Sequence, residues 1–363
     1  MNLPTYVTFV DLEKAFDTVD WCLLFEKLKE KGVDWRDRRI ILNLYKNQTT
    51  IINVNGAVKE ARIRRGVRQG CPLSPYLFNI FIEDCIEELK EKTEGVTING
   101  EKIHCIRFAD DIALIAERES EMNSTLNNLA NILRRNKLRI NANKTKVMLV
   151  RRNNMTEYNC NVEIEGTQIQ RVEEFCYLGS LICSNGNSRR EVKRRITLAK
   201  QAFTKRVNLI CNKHLSLDAR KKFVKTFVWS ILLYACETWT LLKEDKSKLE
   251  AMEMWIWRKM TKTSWRDFKS NKLVLEEVNE DRNLLDNIIK RKISFIGHTI
   301  RHSHFLRLIV EGRIPGQRTR GRPRTSYFED VAEKMATGSY SNMKKAALER
   351  TEWRSRQGLA FRR

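Results

Sequence analysis

The chain has 363 residues, 42% of them hydrophobic and 31% charged, enough to bury a sizeable core in two or three domains and too apolar for wholesale disorder. Lys and Arg number 68 against 45 Asp and Glu, a formal net charge of +23 that suits a polyanionic partner such as nucleic acid. Nine cysteines, an odd number with no CxxC pair, exclude the disulfide framework of a small secreted domain and fit reduced, buried thiols.

The N-terminal stretch MNLPTYVTFVDLEKAF has no basic segment followed by an apolar run, so it is not a secretory signal. An intracellular protein, in the nucleus, the cytoplasm or both, is expected. Residues 5–10, TYVTFV, read as a buried strand ending at Asp11. Two helices follow, the first carrying Leu24 and Leu28 on one face and stopping at Gly32, the second spanning WRDRRIILNLYKN. Asn55-Gly56 and Asn99-Gly100 are two-residue hairpin signals. Between them, GVRQGCPLSP is a loop, and Ser74-Pro75 form an N-cap and first turn for the helix PYLFNIFIEDCIEELKEK.

The segment IRFADDIALIAE then turns through Asp110-Asp111 between two apolar strands. A polar-faced helix with Leu126, Leu129 and Leu133 inward precedes the strand–loop–strand LRINANKTKVMLV, and VEIEGTQIQ with FCYLGSLI form a further β unit. Beyond residue 186 strand signals fade into basic helices. The stretch TFVWSILLYACETW is interrupted by Glu237 and too short to span a bilayer, so it reads as a core helix, with no membrane partner. The final 50 or so residues are arginine-rich, contain glycine and show no clear core pattern. The histidines of GHTIRHSH lack a nearby carboxylate or cysteine and read as a basic helix end rather than a metal site.

Two adjacent aspartates between greasy strands repel each other and raise their own protonation unless something offsets the charge. Taken alone, Asp-Asp is a routine turn. If the strand ending at Asp11 neighbours the hairpin carrying Asp110 and Asp111, three carboxylates meet at one sheet edge. Hard oxygen donors in that number suit two divalent cations and the handling of phosphate.

The succession TFVDLEKAFDTV, GVRQGCPLSPYLFNIFIE, IRFADDIALIAE, LRINANKTKVMLV and EFCYLGSLI resembles the ordered palm motifs of reverse transcriptases, most closely those of non-LTR (LINE-type) retrotransposons, over residues 6 to about 183. The later LLYACETWTL, IGH and GRPR also resemble the region that follows the polymerase in these elements. The resemblance implies an α+β fold: a palm with an antiparallel sheet and helices on one face, then an all-α thumb-like and basic C-terminal region. It divides the chain into a palm at 1–150, a primer-grip β unit at 151–185, a helical thumb-like region at 186–270 and a basic region at 271–363. Asp11, Asp110 and Asp111 fall on the metal-binding aspartates, for two Mg2+ ions with Mn2+ as the alternative. Phe16 falls where an aromatic ring sits under the incoming sugar, and Gln69 and Gly70 on the nucleotide-facing loop. Lys144 and Lys146 both match the lysine that protonates pyrophosphate, and Tyr177, Leu178 and Gly179 match the turn that grips the primer end.

The same resemblance implies an RNA-directed DNA polymerase that adds dNTPs to a DNA primer on an RNA template, with no specific protein partner indicated. Arg190, Lys193 and Arg194, at i, i+3 and i+4, form a cationic helix face for nucleic acid. The stretch RIPGQRTRGRPR, with Arg313, Arg318, Arg320, Arg322 and Arg324, reads as a nucleic-acid arm resembling an AT-hook. Met1 lies only ten residues before Asp11, which leaves no fingers or endonuclease and suggests an N-terminally truncated copy. A catalytically silent nucleic-acid-binding remnant is therefore the alternative reading. A nucleotidyl cyclase would not carry the RQGCPLSP loop or the long basic helical half.

Overall fold

The computed structural model describes residues 4–151, 160–311 and 327–361. The chain divides at Leu178–Gly179 into two compact units, inside the stretch 151–185 expected to be one β unit.

The first unit opens with β1 (Thr5–Val10), followed by α1 (Ala15–Thr18), α2 (Trp21–Glu30) and α3 (Trp35–Lys46). Next come the hairpin β2 (Thr49–Val54) and β3 (Ala57–Arg62), α4 (Ser74–Glu91) and the short hairpin β4 (Val96–Ile98) and β5 (Glu101–Ile103). The pair β6 (Cys105–Phe108) and β7 (Asp111–Ala116) leads into α5 (Glu119–Arg135) and β8 (Lys146–Val150). The unit closes with β9 (Glu163–Ile164), β10 (Thr167–Gln168), β11 (Gln170–Arg171) and β12 (Glu174–Tyr177).

Its main sheet has the order β11-β8-β1-β7-β6. The β1–β7, β1–β8 and β6–β7 ladders are antiparallel, as expected, while β11 adds a parallel edge against β8. β1 is central because alternate residues bury on opposite faces. Tyr6 and Val10 join Ile112, Leu114, Val147 and Leu149 under α2, α4 and α5. Phe9 joins Ala113 and Met148 on the other face, where Phe175 stacks on Phe9 at 4.2 Å. Each fully buried Leu, Ile or Phe of α4, among them Leu77, Phe78, Phe81 and Ile82, contributes about 1.5–3 kcal/mol.

Both Asn-Gly pairs take the positive φ that a type I′ turn demands, 53° and 86° at Asn55-Gly56 and 50° and 90° at Asn99-Gly100. Asp20 caps α2 by accepting from the Leu23 N–H, and Asp34 caps α3 by accepting from the Arg36 N–H. Ser74 does not cap α4. It is the first helical residue, buried, and its hydroxyl is spent on Tyr45 Oη at 3.2 Å, leaving Leu73 at the cap position.

The second unit starts with β13 (Ser180–Cys183) and is otherwise helical: α6 (Arg189–Lys205), α7 (Val207–Ile210), α8 (Leu217–Phe223), α9 (Ser230–Leu232), α10 (Lys243–Thr261), α11 (Asn271–Val278), α12 (Leu284–His302), α13 (His304–Glu311), α14 (Glu329–Lys334), α15 (Tyr340–Leu348) and α16 (Arg350–Ala360). TFVWSILLYACETW is not one helix. A wide π-helical stretch, Val224–Trp229, runs into α9, Ala235 turns the chain with φ 55°, and a 3-10 turn follows at Cys236–Thr238. The carbonyls this frees are taken by α12: Arg291 donates to Leu233 O at 3.1 Å and buried Lys292 to Trp239 O at 3.0 Å.

The C-terminal residues do have a core. Ile293, Ile296 and Ile300 of α12 pack with Met343, Ala346, Ala347 and Trp353. Gly297 makes the space, since a Cβ there would lie 2.3 Å from Trp353 Nε1, and that N–H donates to Ile293 O at 3.1 Å. Ala346, Ala347 and Gly297 let the larger side chains meet closely, a contribution that hydrophobic periodicity does not register. Among the described residues, no helix is long and apolar enough to cross a membrane.

Candidate active site

The β1–β7 register pairs Val10 with Ile112, so the next residues along the two strands are Asp11 and Asp111. β6 and β7 pair Phe108 with Asp111, which leaves Ala109 and Asp110 as a two-residue turn. Ala109 holds φ at 53°, a left-handed conformation that costs a residue with a Cβ roughly 1–2 kcal/mol. The sequence predicted an aspartate pair inside an apolar hairpin. The structure instead opens that end of the sheet: Asp11 and Asp110 are half-buried and Asp111 is exposed.

Packing against one side of the Asp111 carboxyl, then the negative charges of Asp110 and Asp11, push its pKa above the ordinary carboxylate value. Lys144 Nζ lies 3.9 Å from Asp11 Oδ2. Among the described residues, no three His, Cys, Asp or Glu side chains already form a closed metal-holding group. The carboxylates therefore converge without closing. The donor set, hard oxygens carrying mutually repelling charge, has the chemistry a divalent cation takes.

Asp11 is fixed through its backbone. Its N–H donates to Thr145 Oγ1 at 3.3 Å, and its carbonyl accepts from the Asn141 N–H at 2.8 Å. Neither Asn141 nor Thr145 stood out in the sequence, although asparagine is a common turn residue. The two candidate lysines separate. Lys146 donates to Asn143 O at 2.6 Å and Gln170 Oε1 at 2.7 Å, engaged on the neighbouring strand, whereas Lys144 faces Asp11.

Phe16 is half-buried and stacks on Phe78 at 4.7 Å with the rings 15° apart, so one face is core and the ring is held rigid. Gln69 donates from Nε2 to Asp17 Oδ1 at 3.1 Å, and Gly70 has φ 83°. Gln69 also lines an open cleft of about 900 Å³ with Asp17, Asn43, Gln48, Arg65 and Arg68. Tyr177 belongs to the carboxylate hairpin as well: its hydroxyl reaches Asp111 O at 3.1 Å and Ile106 O at 3.3 Å, one on each strand. Burial, with the nearby Asp111 charge, pushes that phenol up to about 12, so it stays a donor. Leu178 follows with φ 48°.

In the second unit, Gly179 takes φ 77°, and its carbonyl accepts from Arg194 at 3.2 Å and from Arg195. The expected cationic face of Arg190, Lys193 and Arg194 is accordingly incomplete. Arg190 and Lys193 are exposed, but Arg194 is half-buried and paired with Glu191 at 3.0 Å. Helical spacing put all three on one face, and the buried Glu191 drew the third inward. Arg313, Arg318, Arg320, Arg322 and Arg324 lie outside the described residues.

A profile of the family described as reverse transcriptase (RNA-dependent DNA polymerase) matches residues 1–182. The chain is 36% identical over 143 residues to a retrovirus-related Pol polyprotein from a type-1 retrotransposable element R2 of Popillia japonica, covering 38% of this chain and 20% of that protein. It is 23% identical over 320 residues to the RNA-directed DNA polymerase from mobile element jockey of Drosophila melanogaster, covering 78% of this chain and 33% of that protein. The chain thus spans a fifth of the R2 relative and a third of the jockey one. Among solved structures it matches apo telomerase from Candida tropicalis at 14% identity and a TM-score of 0.38, over 86% of this chain and 54% of that one, a likeness too slight to argue from. The chain belongs to the reverse transcriptase family, among the LINE-type enzymes of non-LTR retrotransposons.

Proposed function

We propose that the chain carries the catalytic core of an RNA-directed DNA polymerase, which extends a primer 3′-hydroxyl with deoxynucleoside triphosphates along an RNA template. The observation that supports this most is the placement of Asp11 beside Asp110 and Asp111 at one end of adjoining strands. In this reading Asp11, Asp110 and Asp111 hold two Mg2+ ions, or Mn2+ in their place. Bound there, the ions supply charge neutralisation for an in-line displacement at the α-phosphorus.

The remaining roles fall to the chain itself. Phe16, braced by Phe78, presents a fixed ring under the incoming sugar and leaves no room for a 2′-hydroxyl. The Gln69 amide and the Gly70 backbone contact the nucleotide, and Lys144 rather than Lys146 holds a proton on Nζ for the departing pyrophosphate. The turn Tyr177–Gly179 takes the primer end. Arg190 and Lys193 contact nucleic-acid phosphates, with Arg320, Arg322 and Arg324 in the arm. Residues 1–150 then serve as palm and 186–270 as thumb.

Primer extension on an RNA template with Mg2+ tests the proposal. The full chain incorporates dNTPs, and Asp110→Asn lowers the rate by roughly a hundredfold or more. Unchanged incorporation by Asp110→Asn would defeat the cation assignment. Salt-sensitive RNA binding by the full chain without any incorporation would favour the alternative, a nucleic-acid-binding remnant, which the net charge of +23 also suits.

A further inference from the structure

We infer that the turn from Asn141 to Thr145 is the positioning element of the carboxylate site, and that the Thr145 hydroxyl sets Asp11 and Lys144 against each other. The inference rests on the proposed role of Asp11 as a cation ligand.

β1 ends at Val10, so Asp11 sits where the ladder no longer fixes the backbone. Beyond it, the chain is held by the segment before the turn: Leu12 bridges Ile140, and the Glu13 N–H donates to Arg139 O at 2.9 Å. The turn then binds both peptide groups of Asp11. Asn141 donates its N–H to Asp11 O at 2.8 Å, and Thr145 Oγ1 accepts from Asp11 N at 3.3 Å. The Thr145 hydroxyl uses its own proton on Asn141 O at 2.8 Å, and the Thr145 N–H donates to the same carbonyl at 2.9 Å. Asn141 Oδ1 accepts from the Lys144 N–H at 3.2 Å and completes the turn. Lys144 therefore leaves a backbone tied to Asp11, and its ammonium ends 3.9 Å from the Asp11 carboxylate.

Thr145 is fully buried beside the core residues Val147 and Met148. Valine has nearly the same shape and would bury there without a hydroxyl to desolvate, so packing alone does not call for threonine. The hydroxyl connects the turn to Asp11, and its β-branched side chain has few rotamers to choose from. A cation ligand displaced by half an ångström loses much of its geometry.

The test uses the full chain and Mn2+ as the probe, with free ion followed by electron paramagnetic resonance, alongside thermal unfolding. Thr145→Val keeps the volume and loses the hydroxyl, so Mn2+ binding weakens roughly fivefold. Thr145→Ser keeps the hydroxyl and stays within about twofold of wild type, although it loses a buried methyl and melts lower. Lys144→Gln removes a cation beside Asp11 and tightens Mn2+ binding, and this gain shrinks in the Thr145→Val background because both act through one turn. Equal weakening by Ser and Val that follows melting temperature, or wild-type binding by Thr145→Val beside a defective Asp111→Asn, would overturn the inference. Mn2+ affinity untouched by Asp111→Asn would instead remove the cation reading, and the inference with it.

Discussion

Two groups of acidic side chains, one in each unit, are treated in opposite ways, although elsewhere in the first unit Asp84 and Asp20 are paired with lysines too. In the second unit, several buried or nearly buried carboxylates come with cations, while buried Glu253 is held instead by the Asn283 and Leu284 N–H groups. Glu191 is paired with Arg195 at 2.6 Å and Arg194 at 3.0 Å, Asp330 lies between Lys246 and Lys292, and Glu280 faces Lys225 and Lys221. In the first unit, Asp110 and Asp11 place their charges near Asp111, and among the described residues the three make one ion pair, Lys144 to Asp11, at the edge of contact distance. Glu191, Asp330 and Glu280 are neutralised by the fold. In the proposed function, Asp11, Asp110 and Asp111 are instead left for a charge that arrives from outside.

The contrast can be broken from the structural side first. Arg195→Met leaves Glu191 buried with only part of its pairing, takes a guanidinium from Gly179 O and removes the stack on Tyr234 at 4.4 Å. Chemical denaturation should show a loss of about 3 kcal/mol, as when one partner of a buried pair is deleted. A loss under a few tenths would mean that the second unit's ion pairs are as dispensable as surface ones.

A smaller effect sharpens the contrast through pH. Burial pushes Glu311 up, but hydrogen bonds from Lys344, Tyr340 and Arg307 outweigh it and bring the carboxyl down from its ordinary 4.5 to about 2. A depressed folded-state pKa contributes stability that is present above 4.5 and lost as pH falls toward 2. Wild type should exceed Glu311→Gln in stability at neutral pH, and that advantage should fade across this acid window. A constant difference between the two proteins at every pH would contradict the assignment.

Legibility in the sequence followed the same line. The sheet edge could be read because strands, Asn-Gly turns and the five motifs are local, and the register that brings Asp11 to Asp111 follows from ordering the strands. What escaped were contacts that depend on a partner far along the chain. Ser74 looks like a cap until Tyr45 claims its hydroxyl, and Arg194 looks like part of an open face until Glu191 and Gly179 draw it inward. The break after Leu232 becomes intelligible only when Arg291 and Lys292 are seen on the freed carbonyls. Lys144 and Lys146 are equivalent in sequence and differ in the structure because Gln170 lies beside only one of them.

The most direct measurement pairs RNA-templated dNTP incorporation with unfolding stability for wild type and Asp111→Asn at neutral pH. Asp111 titrates above its ordinary 3.8 in the folded chain, because of its packing and the charges of Asp110 and Asp11. The folded state therefore gains protons more readily than the unfolded one, and ionisation of Asp111 costs stability as pH rises through that raised value. Replacing the charge should lower incorporation roughly a thousandfold, equivalent to about 4 kcal/mol of transition-state stabilisation, while stability holds or rises. A variant that keeps incorporating dNTPs, or one that loses activity only in step with unfolding, would contradict the account.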